Sequence, residues 1–196
     1  MDKQQHGPKS MKHIVVFASG NGSNAMNLIQ RFKTGTKARV VAVFCNNPEA
    51  GIIEKAKAEG VPVVLFNRTQ FREAGAFDEQ LAAFQPDIIA LAGFLWLFPS
   101  RLVQQYPNRI VNIHPALLPA YGGKGMYGDH VHRAVLANKE TRHGVSVHLV
   151  NEHYDEGQIL LQESFALRPD DTLETIKQRI HELEYRLFPA ALEQLL

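Results

Sequence analysis

Short runs of β-branched and apolar residues recur along the first part of the chain, separated by stretches with helical periodicity. The runs are "KHIVVFAS" (12–19), "ARVVAVFC" (38–45), "VPVVLF" (61–66), "DIIALAG" (87–93) and "RIVNI" (109–113). Near-continuous apolar character of this kind is what parallel strands covered on both faces require. Between the runs, helical patterns are read at about 23–33, 50–59, 76–84 and 99–106. Strand and helix alternating at this spacing predict right-handed βαβ units on a mostly parallel sheet.

The second half departs from that rhythm. "HGVSVHLV" (143–150) and "QILLQESFAL" (158–167) lie too close together for a crossover helix, so they are expected to pair as neighbours and make the sheet mixed. A last helix is predicted over 172–187, capped by Asp171 or Thr172 with Glu174 in its first turn and its end disturbed by Pro189. The expected fold class is therefore α/β: one domain with a mostly parallel, mixed, twisted sheet flanked by helices.

Bulk properties narrow the function classes. A chain of 196 residues with 45% hydrophobic content can bury one substantial core. A net charge of +1 gives no electrostatic case for nucleic acid or a membrane surface as partner. The single Cys45 excludes an internal disulfide framework and suits a reducing cytoplasm, the expected location. No apolar run reaches the roughly 18 residues of a membrane span, and the opening "MDKQQHGPKS" lacks the apolar core of a signal peptide. Residues 1–11 are expected to be a disordered leader and 12–196 the domain.

The first chemical signal is "SGNGSNA", where the first strand meets the first helix. Glycines there let the backbone approach a ligand, while free N–H groups and the positive helix end attract an anion. Gly20, Gly22 and Ala25 even satisfy the dinucleotide fingerprint G-x-G-x-x-A. That fingerprint also demands an acid at the end of the second strand, and the chain has "CNNP" instead, so a single phosphate group is the favoured ligand. A plain strand-to-helix turn is the bland alternative.

The second signal is "IVNIHPALLPAY" (110–121). Ligands of parallel sheets sit outside the carboxyl ends of the strands, and strand alternation puts Asn112 and His114 on one side there. An amide donor beside an imidazole suits an oxyanion developing at a carbonyl under attack, although such a pair also occurs as a satisfied strand-end cluster. Asp155 and Glu156 in "HYDEGQILLQ" (153–162) read as turn residues before Gly157. If Asp155 instead reaches His114, its carboxylate favours the imidazolium and equips it as a general acid. A metal site is not expected: His130 and His132 are two apart, not the i, i+4 pair that one helix face presents, and no cysteine joins them.

"SGNGSN", "LAGFLWL", "NIHPALLPAYGGKGMYG", "HGVSVHLV" and "DEGQILLQ", in that order, closely resemble the phosphoribosylglycinamide formyltransferases, the folate-dependent family of purine biosynthesis. The resemblance runs from about residue 12 to 192 and implies a Rossmann-like formyltransferase fold. It implies transfer of formyl from 10-formyltetrahydrofolate, the co-substrate, to the amine of glycinamide ribonucleotide, by direct attack through a tetrahedral intermediate. Asn112 and His114 would bind the formyl oxygen, His114 would donate the proton, and Asp155 would keep it charged and relay protons. Gly22, Ser23 and Asn24 would hold the phosphate, and Glu184 the glycinamide end. Leu95, Trp96, Leu97 and Phe98 would edge the pterin pocket with Asn112, and Arg72 matches an arginine of the active-site region. The partners implied are the two small molecules, with the protein a monomer or homodimer.

Many relatives carry arginine where this chain has Trp96, and the loop "GGKGMYGD" is longer than in some of them. Methionyl-tRNA formyltransferases share the catalytic pattern but normally append a tRNA-binding domain, and formyltetrahydrofolate hydrolases usually carry an N-terminal regulatory domain. A non-enzymatic nucleotide-binding module is the reading that follows if the polar residues do not converge.

Overall fold

The computed structural model describes residues 11–34 and 37–196. The expected leader therefore lies, but for Met11, outside the described residues. Those residues form seven strands and seven helices. The strands are β1 (Lys12–Ala18), β2 (Ala38–Cys45), β3 (Val63–Leu65), β4 (Ile88–Leu91), β5 (Ile110–His114), β6 (Arg142–Leu149) and β7 (Ile159–Ala166). The helices are α1 (Ser23–Arg31), α2 (Ile52–Ala58), α3 (Arg68–Arg72), α4 (Ala76–Ala83), α5 (Ser100–Gln105), α6 (Asp129–Ala137) and α7 (Leu173–Leu195).

All strands join one sheet in the order β3-β2-β1-β4-β5-β6-β7, with β1 to β5 parallel and β6 and β7 antiparallel to their neighbours. The mixed sheet is thus as read from the sequence. Two helices had no counterpart there, α3 and α6: the first is five residues long, and the second follows the glycine-rich loop in a stretch read only for its histidines.

Alternation along the buried strands feeds two cores. Ile14, Val16 and Ala18 of β1 pack on the face covered by α1, α2 and α7, whereas Val15 and Phe17 enter an aromatic layer on the other. Phe17 stacks on Phe44 at 5.1 Å between ring centroids and meets Phe98 edge-on at 5.2 Å. Truncating a ring buried this fully costs about 3–5 kcal/mol. Asn112 and His114 follow Ile110 on the aromatic side, beyond the point where apolar packing stops.

The last helix corrects the sequence expectation at its end only. Thr172, one of the two caps expected, accepts a hydrogen bond from the Thr175 amide, and the helix runs past Pro189 to Leu195. A proline removes the N–H that would bond the carbonyl four residues back. That carbonyl, on Tyr185, instead accepts Asn27 Nδ2 at 2.9 Å, so α1 satisfies the group the proline leaves open. Burial of Leu187, Phe188, Ala191 and Leu192 then favours continuing the helix.

Candidate active site

The sheet order reverses direction at β1, and the crevice opens beyond the carboxyl ends of β1, β4 and β5. A cavity of about 520 Å³ lies there. Its walls come from the segment after β4, the end of β5, the loop after β6, the glycine-rich stretch 123–128 and one face of α7.

α1 begins without a side-chain cap. Its Gly22 has φ 76°, and a Cβ there would fall 2.5 Å from Cβ of Ile52, so both the turn and the packing call for glycine. The first helical bond runs from the Met26 N–H to the Gly22 carbonyl, leaving the N–H groups of residues 23–25 outside the helical ladder. Asn24 projects into the cavity wall, while Gly22 and Ser23 are not part of it. Asn24 is buried; its Nδ2 donates to Glu184 Oε2 at 3.0 Å, and its Oδ1 has no partner. Glu184 Oε2 also accepts His181 Nδ1 at 3.1 Å, and that carboxylate raises the His181 pKa above the usual histidine value.

The expected trio converges. His114 is 4% exposed; its Nε2 lies 2.8 Å from the Tyr121 carbonyl, and because a carbonyl only accepts, Nε2 carries a proton. Its Nδ1 faces Asp155 Oδ2 at 3.6 Å. Asp155 Oδ2 also accepts the Gly123 N–H at 3.0 Å. Asn112 Nδ2 lies 3.3 Å from Asp155 Oδ1 and 3.1 Å from His148 Nε2. His148 directs Nδ1 at the Leu149 carbonyl, 2.8 Å away, so that nitrogen carries a proton, and its Nε2 lies 3.5 Å from Asp155 Oδ1.

Burial lowers the His114 pKa, and the Asp155 charge and the Tyr121 carbonyl oppose this without reversing it. For Asp155 itself burial raises the pKa, but the His148 contact, the His114 charge and the Gly123 amide outweigh it and hold the carboxyl below its usual range.

Leu95, Trp96, Leu97 and Phe98 all line the cavity, Leu95 and Leu97 largely exposed and Phe98 mostly committed to the aromatic layer. Trp96 carries the Arg68 guanidinium 5.0 Å from its ring centroid. Arg72 is outside the main cavity, lining a neighbouring one of about 300 Å³ that shares this wall. His132 and His143 hydrogen-bond to each other at 2.9 Å in the interior, and among the described residues no three His, Cys, Asp or Glu side chains are placed to hold a metal. No helix among the described residues is long and apolar enough to cross a membrane.

Residues 12–192 match the family model described as formyl transferase. The chain is 40% identical to the phosphoribosylglycinamide formyltransferase of Bacillus subtilis, covering 95% of both chains. It is 38% identical to the chloroplastic phosphoribosylglycinamide formyltransferase of Arabidopsis thaliana, covering 96% of this chain and 66% of that longer one. The solved structure of the Brucella melitensis phosphoribosylglycinamide formyltransferase superposes with a TM-score of 0.81 at 40% identity, covering 94% of this chain and 95% of that one.

Proposed function

The chain belongs to the formyl transferase family, and on that premise we propose that it passes the formyl group of 10-formyltetrahydrofolate to the amine of glycinamide ribonucleotide in purine biosynthesis. The observation that carries this reading is the meeting of Asn112, His114 and Asp155 in a cavity whose wall also presents Asn24 of α1 and Glu184 of α7. Asn24 Oδ1 is a buried acceptor with no donor, and an N–H of the glycinamide end is the group that completes it. The free amides opening α1 suit the ribonucleotide phosphate, through Gly22, Ser23 and Asn24. The apolar wall of residues 95–98 suits the pterin, with Arg72 across that wall available to a carboxylate of the same donor.

The chemistry forms one C–N bond to the acceptor amine and breaks the C–N bond to the folate. As the formyl oxygen takes on negative charge, Asn112 Nδ2 turns its hydrogen from the 3.3 Å contact with Asp155 towards it. His114 holds Nε2–H on Tyr121, so the proton it delivers sits on Nδ1, beside Asp155. Asp155 favours that proton, which returns to Nδ1 as the carbonyl re-forms; Asp155 also receives the proton the attacking amine must lose, and the folate nitrogen gains it on leaving. Cys45 is buried and free, in keeping with a reducing cytoplasm. Donor labelled with ¹³C at formyl tests the reading: label in an N-formyl amide of the ribonucleotide is expected, and label in formate alone overturns it in favour of hydrolysis.

A further inference from the structure

The loop joining β5 to α6 touches the catalytic pair twice through its backbone. The Tyr121 carbonyl accepts a hydrogen bond from His114 Nε2–H at 2.8 Å, and the Gly123 amide donates to Asp155 Oδ2 at 3.0 Å. Between them Gly122 packs so closely that a Cβ there would lie 3.2 Å from Cβ of Asp155. A shift of this loop therefore moves the partners of both groups together.

Two anchors hold the loop. At its start, the Leu118 amide donates to Ser146 Oγ at 3.0 Å and the Leu118 carbonyl accepts Gln162 Nε2 at 3.0 Å. At Tyr121 the anchor is a side chain pointing away from the site. Its hydroxyl donates to Glu140 Oε1 at 2.6 Å and accepts Asn138 Nδ2 at 2.8 Å, both in the turn after α6. A short hydrogen bond to a carboxylate is of the stronger, charge-assisted kind. Tyr121 also has φ 56°, a left-handed conformation that an aromatic residue adopts only where its surroundings over-determine it.

Resting on the function proposed above, we infer that Tyr121 is a positioning residue, whose phenol braces the loop against Glu140 and so keeps the His114 and Asp155 pair in register. Without the brace the carbonyl and the carboxylate that favour the His114 cation are free to drift from it.

Tyr121→Phe deletes only the hydroxyl. The expected result is a kcat lowered by about tenfold, below the roughly 100-fold cost of an ångström-scale misplacement, with KM for both substrates held within about twofold. The pH above which kcat falls, as His114 loses its proton, moves down. In the substrate-free protein the His114 ring resonance titrates at lower pH than in wild type, a reading that needs no turnover. Glu140→Ala, at an exposed residue, should reproduce both effects, and the double variant should be no worse than either single one because the two share one interaction. A lower melting temperature with His114 titration and pH profile unchanged would make Tyr121 an ordinary structural contact and overturn the inference; so would additive effects of the two variants. If wild type transfers no formyl group, the functional reading fails, while the resonance still decides the brace.

Discussion

Asp155→Asn separates charge from shape at the centre of the site. Asp155 has φ 57°, and asparagine is among the few residues that adopt this backbone readily, so the loop should keep its course. An amide oxygen can still accept the Gly123 N–H. What disappears is a negative charge 3.6 Å from His114 Nδ1, on a side chain only 10% exposed. At an effective dielectric of about 20, two unit charges at that distance attract by about 4 to 5 kcal/mol, an attraction that favours the histidine cation. General-acid catalysis typically supplies about 100-fold to 10,000-fold, so the loss in turnover should fall in that range. Because burial already lowers the His114 pKa, removing the opposing charge lowers it further, and activity should decline at a lower pH than in wild type. Steady-state kinetics across pH, with NMR titration of the histidines, measure both effects. Turnover within about threefold of wild type and an unmoved pH profile would return Asp155 to the role of a turn residue.

Glycinamide riboside, lacking the phosphate, should bind more weakly than the ribonucleotide by calorimetry, the α1 terminus alone accounting for about 0.3 to 1 kcal/mol; equal affinity would remove the phosphate from that turn. Trp96→Ala should raise KM for the folate about 2- to 10-fold with kcat nearly unchanged, as an aromatic contact is worth about 0.5 to 1.5 kcal/mol; an unchanged KM would take Trp96 out of the donor pocket. His143 is pushed down to about 4 by burial, with the His132 and His114 charges adding to it. The unfolded chain therefore binds more protons between the ordinary histidine pKa of 6.5 and 4, and stability should fall as pH drops through that window, by about 1 to 3 kcal/mol. Denaturant unfolding across pH should show this slope, and His143→Gln should flatten it.

The first five strands and their crossovers were legible because a strand buried on both faces leaves an unbroken apolar run. Asn112 and His114 were legible for a related reason: polar side chains two apart at the end of such a run stand on the functional edge of a parallel sheet. His148 was read only as part of the strand "HGVSVHLV", yet antiparallel pairing of β6 sets it directly opposite Asn112. Working out the β5–β6 register would have found it, whereas periodicity within one strand could not. Tyr121 escaped because its own carbonyl reaches His114 through packing of the loop, whereas His181 meets Glu184 by i,i+3 spacing on α7, a pair that the helical reading of 172–187 could have offered. Pro189 misled for a local reason, since the carbonyl it leaves open is satisfied by Asn27, distant in sequence. The opposing pull of burial on His114 was not legible, because charge proximity can be guessed from sequence and desolvation cannot.

In the proposed reaction His114, placed by β5 and flanked by Asn112 and Asp155, carries the chemistry of formyl transfer to an amine. The most direct measurement compares donor consumption by wild type and His114→Asn with glycinamide ribonucleotide present, while calorimetry follows binding of both ligands. Turnover should fall by about 100-fold to 10,000-fold with both affinities held within about threefold. Turnover within about threefold of wild type, with the ribonucleotide still consumed, would contradict the account and move the proton donor to another residue.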